Sequence, residues 1–280
     1  MRDARARGTE LSRTAATRGA EIGRSAASRG AEIGRNMRNI DVPWARCGPA
    51  RAARETILQF VLAPLMDLYM RPRVSGREVF RQLPHPVILV ANHSSHLDTP
   101  TILRALPLKW RQRTAVAAAA DYFYKTRAVA NMVALIFNTV PLMRQGGGVG
   151  NGATEHVDRL IDQRWNLLLF PEGTRSRDGR LGKMRSGAAA IAQAHGIPIV
   201  PIYVKGTHDA MPPGRNWPKR RLFQRRTRVE VHFGQPIWPG HDENRHAVMD
   251  RVRTFLEDEA GYGAGPKVAR RTQRAPAPVV

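Results

Sequence analysis

Short apolar runs separated by amphipathic stretches dominate the middle of the chain. Runs rich in β-formers fall at Pro86–Ala91 (PVILVA), Thr114–Ala118, Thr139–Leu142, Asn166–Phe170 (NLLLF), Ile197–Val204 (IPIVPIYV) and Arg228–Phe233 (RVEVHF). Between most of them, Pro100–Leu106, Ala128–Phe137, Ala153–Gln163 and Ser186–His195 read as helices. Strands alternating with helices predict a single α/β domain whose mostly parallel sheet is flanked by helices and buried on both faces. Arg228–Phe233 alternates apolar and polar residues most cleanly, which predicts an edge or antiparallel strand.

The flanks read differently. From Glu55 to Met70 the chain is apolar, interrupted by Pro64 and Asp67. That length falls short of the ~20 residues a bilayer-spanning helix needs, so it suits a helix packed on the core or half-inserted in a membrane. The first 35 residues hold a repeat: Arg7-Gly-Thr-Glu-Leu-Ser-Arg13 recurs at Arg18–Arg24 and Arg29–Arg35. A period of 11 residues keeps one face in register along a nearly straight helix. That face carries Leu11, Ile22 and Ile33 among Ala and Gly. The repeat fits an interfacial helix on anionic lipid or a disordered Arg-rich arm, since Gly costs about 1 kcal/mol per helical position. The expected organisation is an Arg-rich N-terminal extension at 1–49, a working domain at 50–260 and a disordered basic tail at 261–280.

Composition narrows the partners. The 280 residues carry 45 Lys+Arg against 23 Asp+Glu, a formal charge of +22. This predicts attraction to polyanions, whether nucleic acid, an anionic membrane or phosphorylated ligands. Cys47 is the single cysteine, which excludes an intrachain disulfide and a Cys-based zinc site. A cytosolic or cytosol-facing protein is therefore expected. The N-terminus MRDARARGTELSR lacks the apolar core of a secretory signal.

Chemistry concentrates in turns that follow apolar runs. The first is VANHSSHLDTP, residues 90–100, where Thr99 and Pro100 suit a helix start. His93 and Asp98 thus fall at the carboxyl end of a strand, where open α/β sheets bind ligands. Histidine titrates near neutrality, and a carboxylate can fix its tautomer; together they can take a proton from a hydroxyl. Those polar residues would also satisfy a tight turn with no chemistry at all. His93, His96 and Asp98 lie close in sequence, but no further ligands at metal-site spacing accompany them, so no metal is expected. Ser94 and Ser95 lie outside any G-x-S-x-G elbow.

The second turn is LLLFPEGTRSRDGR, residues 167–180. Pro171 stops the strand, Gly173 admits close backbone approach, and Arg175 presents a planar fork to phosphate. Glu172 could accept a substrate hydroxyl or orient Arg175. The third piece, TVPLMRQGGGVGNG, places Arg144 at a strand end before a Gly-rich loop that fits neither dinucleotide nor Walker fingerprints. The fourth, IPIVPIYVKGT, reads mainly as a buried strand.

In this order the four pieces resemble the glycerophospholipid acyltransferase family, which contains bacterial 1-acylglycerol-3-phosphate acyltransferase. NHSSHLD is similar to its Asn-His-x4-Asp motif, VPLMR to its second, FPEGTRS to its third and IPIVPIYV to its fourth, over roughly residues 80–240. The resemblance implies an acyltransferase-like fold with no cofactor, moving a fatty acyl chain from acyl-CoA or acyl carrier protein to a lysophospholipid hydroxyl, by default on 1-acylglycerol-3-phosphate. It implies catalysis by His93 and Asp98, with Arg144, Glu172, Gly173, Thr174 and Arg175 binding the acceptor. It also implies a peripheral enzyme on the cytoplasmic face of an anionic membrane. The alternative from another class, a basic nucleic-acid-binding protein, fits the charge but explains neither turn motif, so no specific nucleic-acid partner is expected. One departure stands out. Where many relatives carry a basic residue after the first motif, this chain reads VAAAADYFY, with Ala118, Ala119, Ala120 and Asp121. A phosphate contact is missing there, and an acceptor with a larger headgroup becomes an alternative.

Overall fold

The computed structural model describes residues 41–119, 127–142, 155–215, 217–218 and 226–262. The N-terminal repeat, Arg144 with its Gly-rich loop, residues 120–126, residues 219–225 of the basic run KRRLFQRRTR and the tail from 263 lie outside the described residues.

The described strands form one sheet: β1 (Met70–Ser75), β2 (Ile88–Ala91), β3 (Thr114–Ala119), β4 (Thr139–Leu142), β5 (Asn166–Leu169), β6 (Ile199–Lys205) and β7 (Thr227–Phe233). Their spatial order is β1-β7-β6-β2-β5-β3-β4. Neighbours run parallel except β6 and β7, which pair antiparallel. The alternating run Arg228–Phe233 is therefore antiparallel to β6, while β1 takes the edge beside it.

Every residue of β2 and β5 is buried, as expected of central strands covered on both faces. The pleat sends alternate side chains to opposite cores. Ile88, Val90, Leu167 and Leu169 pack with the helices Glu155–Asp162, Gly187–His195 and Arg245–Ala260. Leu89, Ala91 and Leu168 pack with the helix Asp98–Ala105, Trp110 and Phe80. Parallel pairing of Val90 with Leu169 and of Ala91 with Ile202 sets the carboxyl ends of β5, β2 and β6 side by side. That register brings together turns distant in sequence.

The sequence pattern does not single out β1 or the last helix. In β1, MRPRVS, arginines interrupt the apolar residues and only Met70 is fully buried, while Pro72 is tolerated because the strand is an edge. The helix Arg245–Ala260 starts on an Asn244 cap, whose side chain accepts from the His246 N–H, and ends at Gly261 with φ 81°. Val248, Met249, Val252, Phe255 and Leu256 form its buried stripe.

Upstream, Gly48–Thr56 runs into a π-helical turn, Ile57–Leu62, and then the helix Ala63–Tyr69. Pro64 has no N–H to give to the Phe60 carbonyl, and the helix widens just before it. Leu58, Ala63 and Met66 face the protein; Phe60, Val61 and Leu68 face solvent. Arg54 is buried and donates to the carbonyls of Ala45, Ala134 and Leu135, tying this segment to the helix Arg127–Phe137. Burial first, then the charges of Arg46 and Arg51, lower its pKa to about 10, which leaves it charged at neutral pH. Among the described residues no helix is long and apolar enough to cross a membrane.

Candidate active site

The turn after β2 is built around one carboxylate. Asp98 is fully buried, and its Oδ2 accepts from the N–H groups of Ser94 (2.6 Å) and Ser95 (2.8 Å) and from His93 Nδ1 (2.9 Å). Its Oδ1 accepts from the Thr207 hydroxyl at 2.5 Å. A carboxylate here can only accept, so it assigns the proton to Nδ1 and leaves the Nε2 lone pair of His93 outward. Among the described residues Nε2 has no hydrogen-bond partner. The ring stacks on Phe170, with centroids 4.1 Å apart and planes 24° apart, and its side chain keeps 20% exposure. The imidazole is thus oriented on two sides and open on a third. This is the arrangement a general base needs.

The turn after β5 is tied to the first. Glu172 Oε1 accepts from the His93 N–H (2.8 Å), and Oε2 accepts from the Gly182 N–H (2.9 Å). The Ser176 N–H donates back to the His93 carbonyl at 2.8 Å. The sequence suggests a substrate hydroxyl or Arg175 as the partner of Glu172; in the fold both oxygens are engaged by main chain. Burial raises its pKa, partly offset by those two N–H bonds. Since a protonated carboxyl gives up an acceptor site, this double tie is lost on acidification at a higher pH than for an exposed glutamate. Glu172→Ala removes both acceptors, and the expected result is a loss of about 2 kcal/mol in urea unfolding with a fall in turnover. An unchanged midpoint would show that water replaces the carboxylate.

Gly173 has φ +73°, and a Cβ there would lie 3.2 Å from Arg185 Nε. Both facts favour glycine. Thr174 is exposed and Arg175 half-buried. Arg175 lies beside the first turn: partial desolvation first, and then the Arg175 charge, push the pKa of His96 below the ordinary value. A polar cavity of about 850 Å³ adjoins these turns and is lined by residues between Glu172 and Arg185. The structure therefore brings His93, Asp98, Glu172, Gly173, Thr174 and Arg175 to one end of the sheet. Arg144 lies outside the described residues.

Several supporting residues escape the sequence reading. Asn92 acts as a side-chain strand, donating to the Val204 carbonyl (2.8 Å) and accepting from its N–H (2.7 Å), which fastens the turn to β6. The Ser95 hydroxyl donates to the Met211 carbonyl at 2.6 Å. Thr207 follows β6 directly in IYVKGT, so its role depends on β6 lying beside β2. No local pattern carries that information.

Comparison with known proteins follows the same region. Residues 71–205 match the Acyltransferase family model. This segment resembles an acyltransferase domain. Its relatives include the chloroplastic 1-acyl-sn-glycerol-3-phosphate acyltransferase of Brassica napus, 31% identical over 147 residues, covering 52% of this chain and 40% of the relative. The corresponding chloroplastic enzyme of Arabidopsis thaliana is 29% identical over 191 residues, covering 68% of this chain and 49% of the relative. The chain thus spans about half the length of the curated relatives it matches. Among solved structures, the 1-acyl-sn-glycerophosphate acyltransferase of Thermotoga maritima superimposes with a TM-score of 0.50 at 22% identity, covering 82% of this chain and 97% of that one. That likeness shows the fold. The matched segment contains all four motifs, and His93, Asp98, Arg144 and Glu172 to Arg175 fall within its bounds.

Proposed function

We propose that the protein is a lysophospholipid O-acyltransferase, with 1-acylglycerol-3-phosphate as its default acceptor and an acyl thioester as donor. The observation that carries this reading is the His93 imidazole, held by buried Asp98 with Nε2 outward, beside a turn bearing Arg175. His93 Nε2 takes the acceptor's hydroxyl proton as its oxygen attacks the thioester carbonyl. The C–O bond forms, the C–S bond breaks, and the proton passes from Nε2 to the departing thiolate. Asp98 steadies the positive charge that develops on His93. Arg175 pairs with the acceptor's phosphate, while Glu172 and Gly173 hold the turn that presents it. Arg144, by its place in the second motif, is a second phosphate partner. Attack is direct, so Cys47 takes no part.

The test is release of thiol from a long-chain acyl-CoA, and from acyl carrier protein, with and without lysophosphatidic acid. Acceptor-dependent release with formation of the diacyl product supports the reading. Release that needs no acceptor assigns a thioesterase. A larger-headgroup lysolipid working where lysophosphatidic acid fails moves the headgroup and keeps the reaction. Failure across donors and lysolipids overturns it.

A peripheral site at the cytoplasmic face of an anionic membrane belongs to the same proposal. Phe60 and Val61 are 74% and 56% exposed, and Trp217, 57% exposed, donates its indole N–H to Tyr69 Oη on the same segment. Exposed large apolar groups on the segment that leads into β1, where Arg71 and Arg73 are exposed, suit a lipid interface. Phe60→Asp with Val61→Asp should weaken sedimentation with anionic vesicles by roughly tenfold, from about 1.5–3 kcal/mol per buried side chain discounted for partial insertion. Unchanged sedimentation removes this face from the membrane.

A further inference from the structure

The cavity beside the dyad has an unusual wall. A single stretch of chain supplies it, with Arg177, Arg180, Lys183 and Arg185 contributing positive charge and Leu181 as its apolar residue. Its two carboxylates are already engaged. Glu172 accepts from the main chain, and Asp178 Oδ1 accepts from the Ser176 hydroxyl (2.9 Å) and the Arg180 N–H (3.1 Å). Elsewhere Arg104, Arg111, Arg251 and Arg253 each pair with a carboxylate. Arg177, Arg180 and Lys183 form no ion pair among the described residues, and all are exposed.

Such a basin suits a polyanion rather than an acyl chain. Planar guanidinium forks take phosphate oxygens in pairs. Arg175, assigned to the acceptor's phosphate, does not line the cavity, so the basin faces a second anion. Acyl transfer brings two substrates, and a coenzyme A thioester carries its phosphates on a nucleotide separated from the thioester by the pantetheine arm. That separation fits a basin next to the dyad rather than within it. The wall is tied to the base, since Ser176 bonds the His93 carbonyl and Glu172 its N–H. A concave site of this volume is of small-ligand size, whereas a carrier protein needs a broad contact of about 800 Å² per partner.

We infer that this basin holds the 3′-phosphorylated ADP end of a coenzyme A thioester, making acyl-CoA the preferred donor. The inference rests on the acyl-transfer reading for its consequence, but nucleotide binding can be measured without turnover. The test compares the full chain with the triple variant Arg177→Gln, Arg180→Gln, Lys183→Gln, whose exposed positions should leave the thermal midpoint within about 2 °C.

Calorimetric titration with free coenzyme A should show at least about 100-fold weaker binding in the variant, from roughly tenfold per lost charge-assisted contact without full additivity. Dephospho-coenzyme A should bind the wild type more weakly than coenzyme A. KM for acyl-CoA should rise with the binding loss, while KM for the lysolipid and for acyl carrier protein stays within about twofold. Coenzyme A affinity within twofold of wild type overturns the assignment. A rise confined to the lysolipid KM gives the basin to the acceptor, and an equal loss with acyl carrier protein gives it to an acidic protein; both overturn it. Intact coenzyme A binding that depends on these residues, without transfer to any lysolipid, leaves the basin standing and removes the acyl-transfer reading.

Discussion

Replacing His93 with alanine lowers acceptor-dependent thiol release by roughly 10²–10⁴-fold, the range for loss of a positioned general base. The chain folds as before, because what His93 gives to the architecture it gives through its backbone. Its N–H bonds Glu172 and its carbonyl accepts from Ser176, and neither involves the imidazole. Asp98 loses one donor but keeps the N–H groups of Ser94 and Ser95 and the Thr207 hydroxyl, so the buried charge stays solvated. The ring's contact with Phe170 is lost at a partly exposed position, which costs little. Thiol release and the thermal midpoint should therefore separate, the first collapsing and the second moving by a few degrees at most. Added imidazole should restore part of the rate, since the vacated space opens to solvent. Near-wild-type turnover in the alanine variant would falsify the base assignment.

This separation follows from how the site is divided between local and distant information. The residues that meet substrate in the proposal, His93 and Arg175, sit in turns after apolar runs, and the chain shows both features within a dozen residues. The alternation of runs and helices likewise carries most of the sheet. What no window of sequence carries is strand order. Thr207 reaches Asp98 across 109 residues, and Val204 reaches Asn92 across 112, because β6 pairs with β2. Glu172 meets His93 across 79 because β5 pairs with β2 on the other side. Its FPEGTRS context suggests a residue turned toward substrate, yet its oxygens hold the two turns together. The edge strand β1 escapes for another reason: an edge needs only one buried face, and arginines replace the apolar run that marks β2 and β5. The cationic basin was in view as single letters of RSRDGRLGKMR, but its concavity depends on the Gly179 turn at φ +78° and on the Gly182 bond to Glu172.

Asp98 divides into two tests because it serves the fold and the imidazole with the same atoms. In Asp98→Ala, two backbone N–H groups, the Thr207 hydroxyl and His93 Nδ1 lose their acceptor at a position with no solvent exposure. Breaking such a buried network costs about 3–5 kcal/mol, so the expected outcome is a large drop in the urea midpoint or failure to accumulate. Asp98→Asn is the milder and more informative change. Its amide oxygen can stand where Oδ2 stood, facing Ser94, Ser95 and His93, while its NH₂ turns to Thr207. That hydroxyl can reverse role and accept, because Ser94 Oγ lies 3.4 Å away to receive its proton. The fold then survives, with a loss of about 1–2 kcal/mol for the exchange of one charged acceptor. The charge that steadies the developing imidazolium is gone, and turnover should fall by about 10²–10³-fold, as when one preorganised electrostatic partner is removed. Urea unfolding and thiol release on both variants read the two effects separately. An asparagine variant that turns over like the wild type shows that the negative charge is not used in the reaction. An alanine variant as stable as the wild type shows that the four donors find other partners, and the turn would then owe its shape to the sheet ends alone.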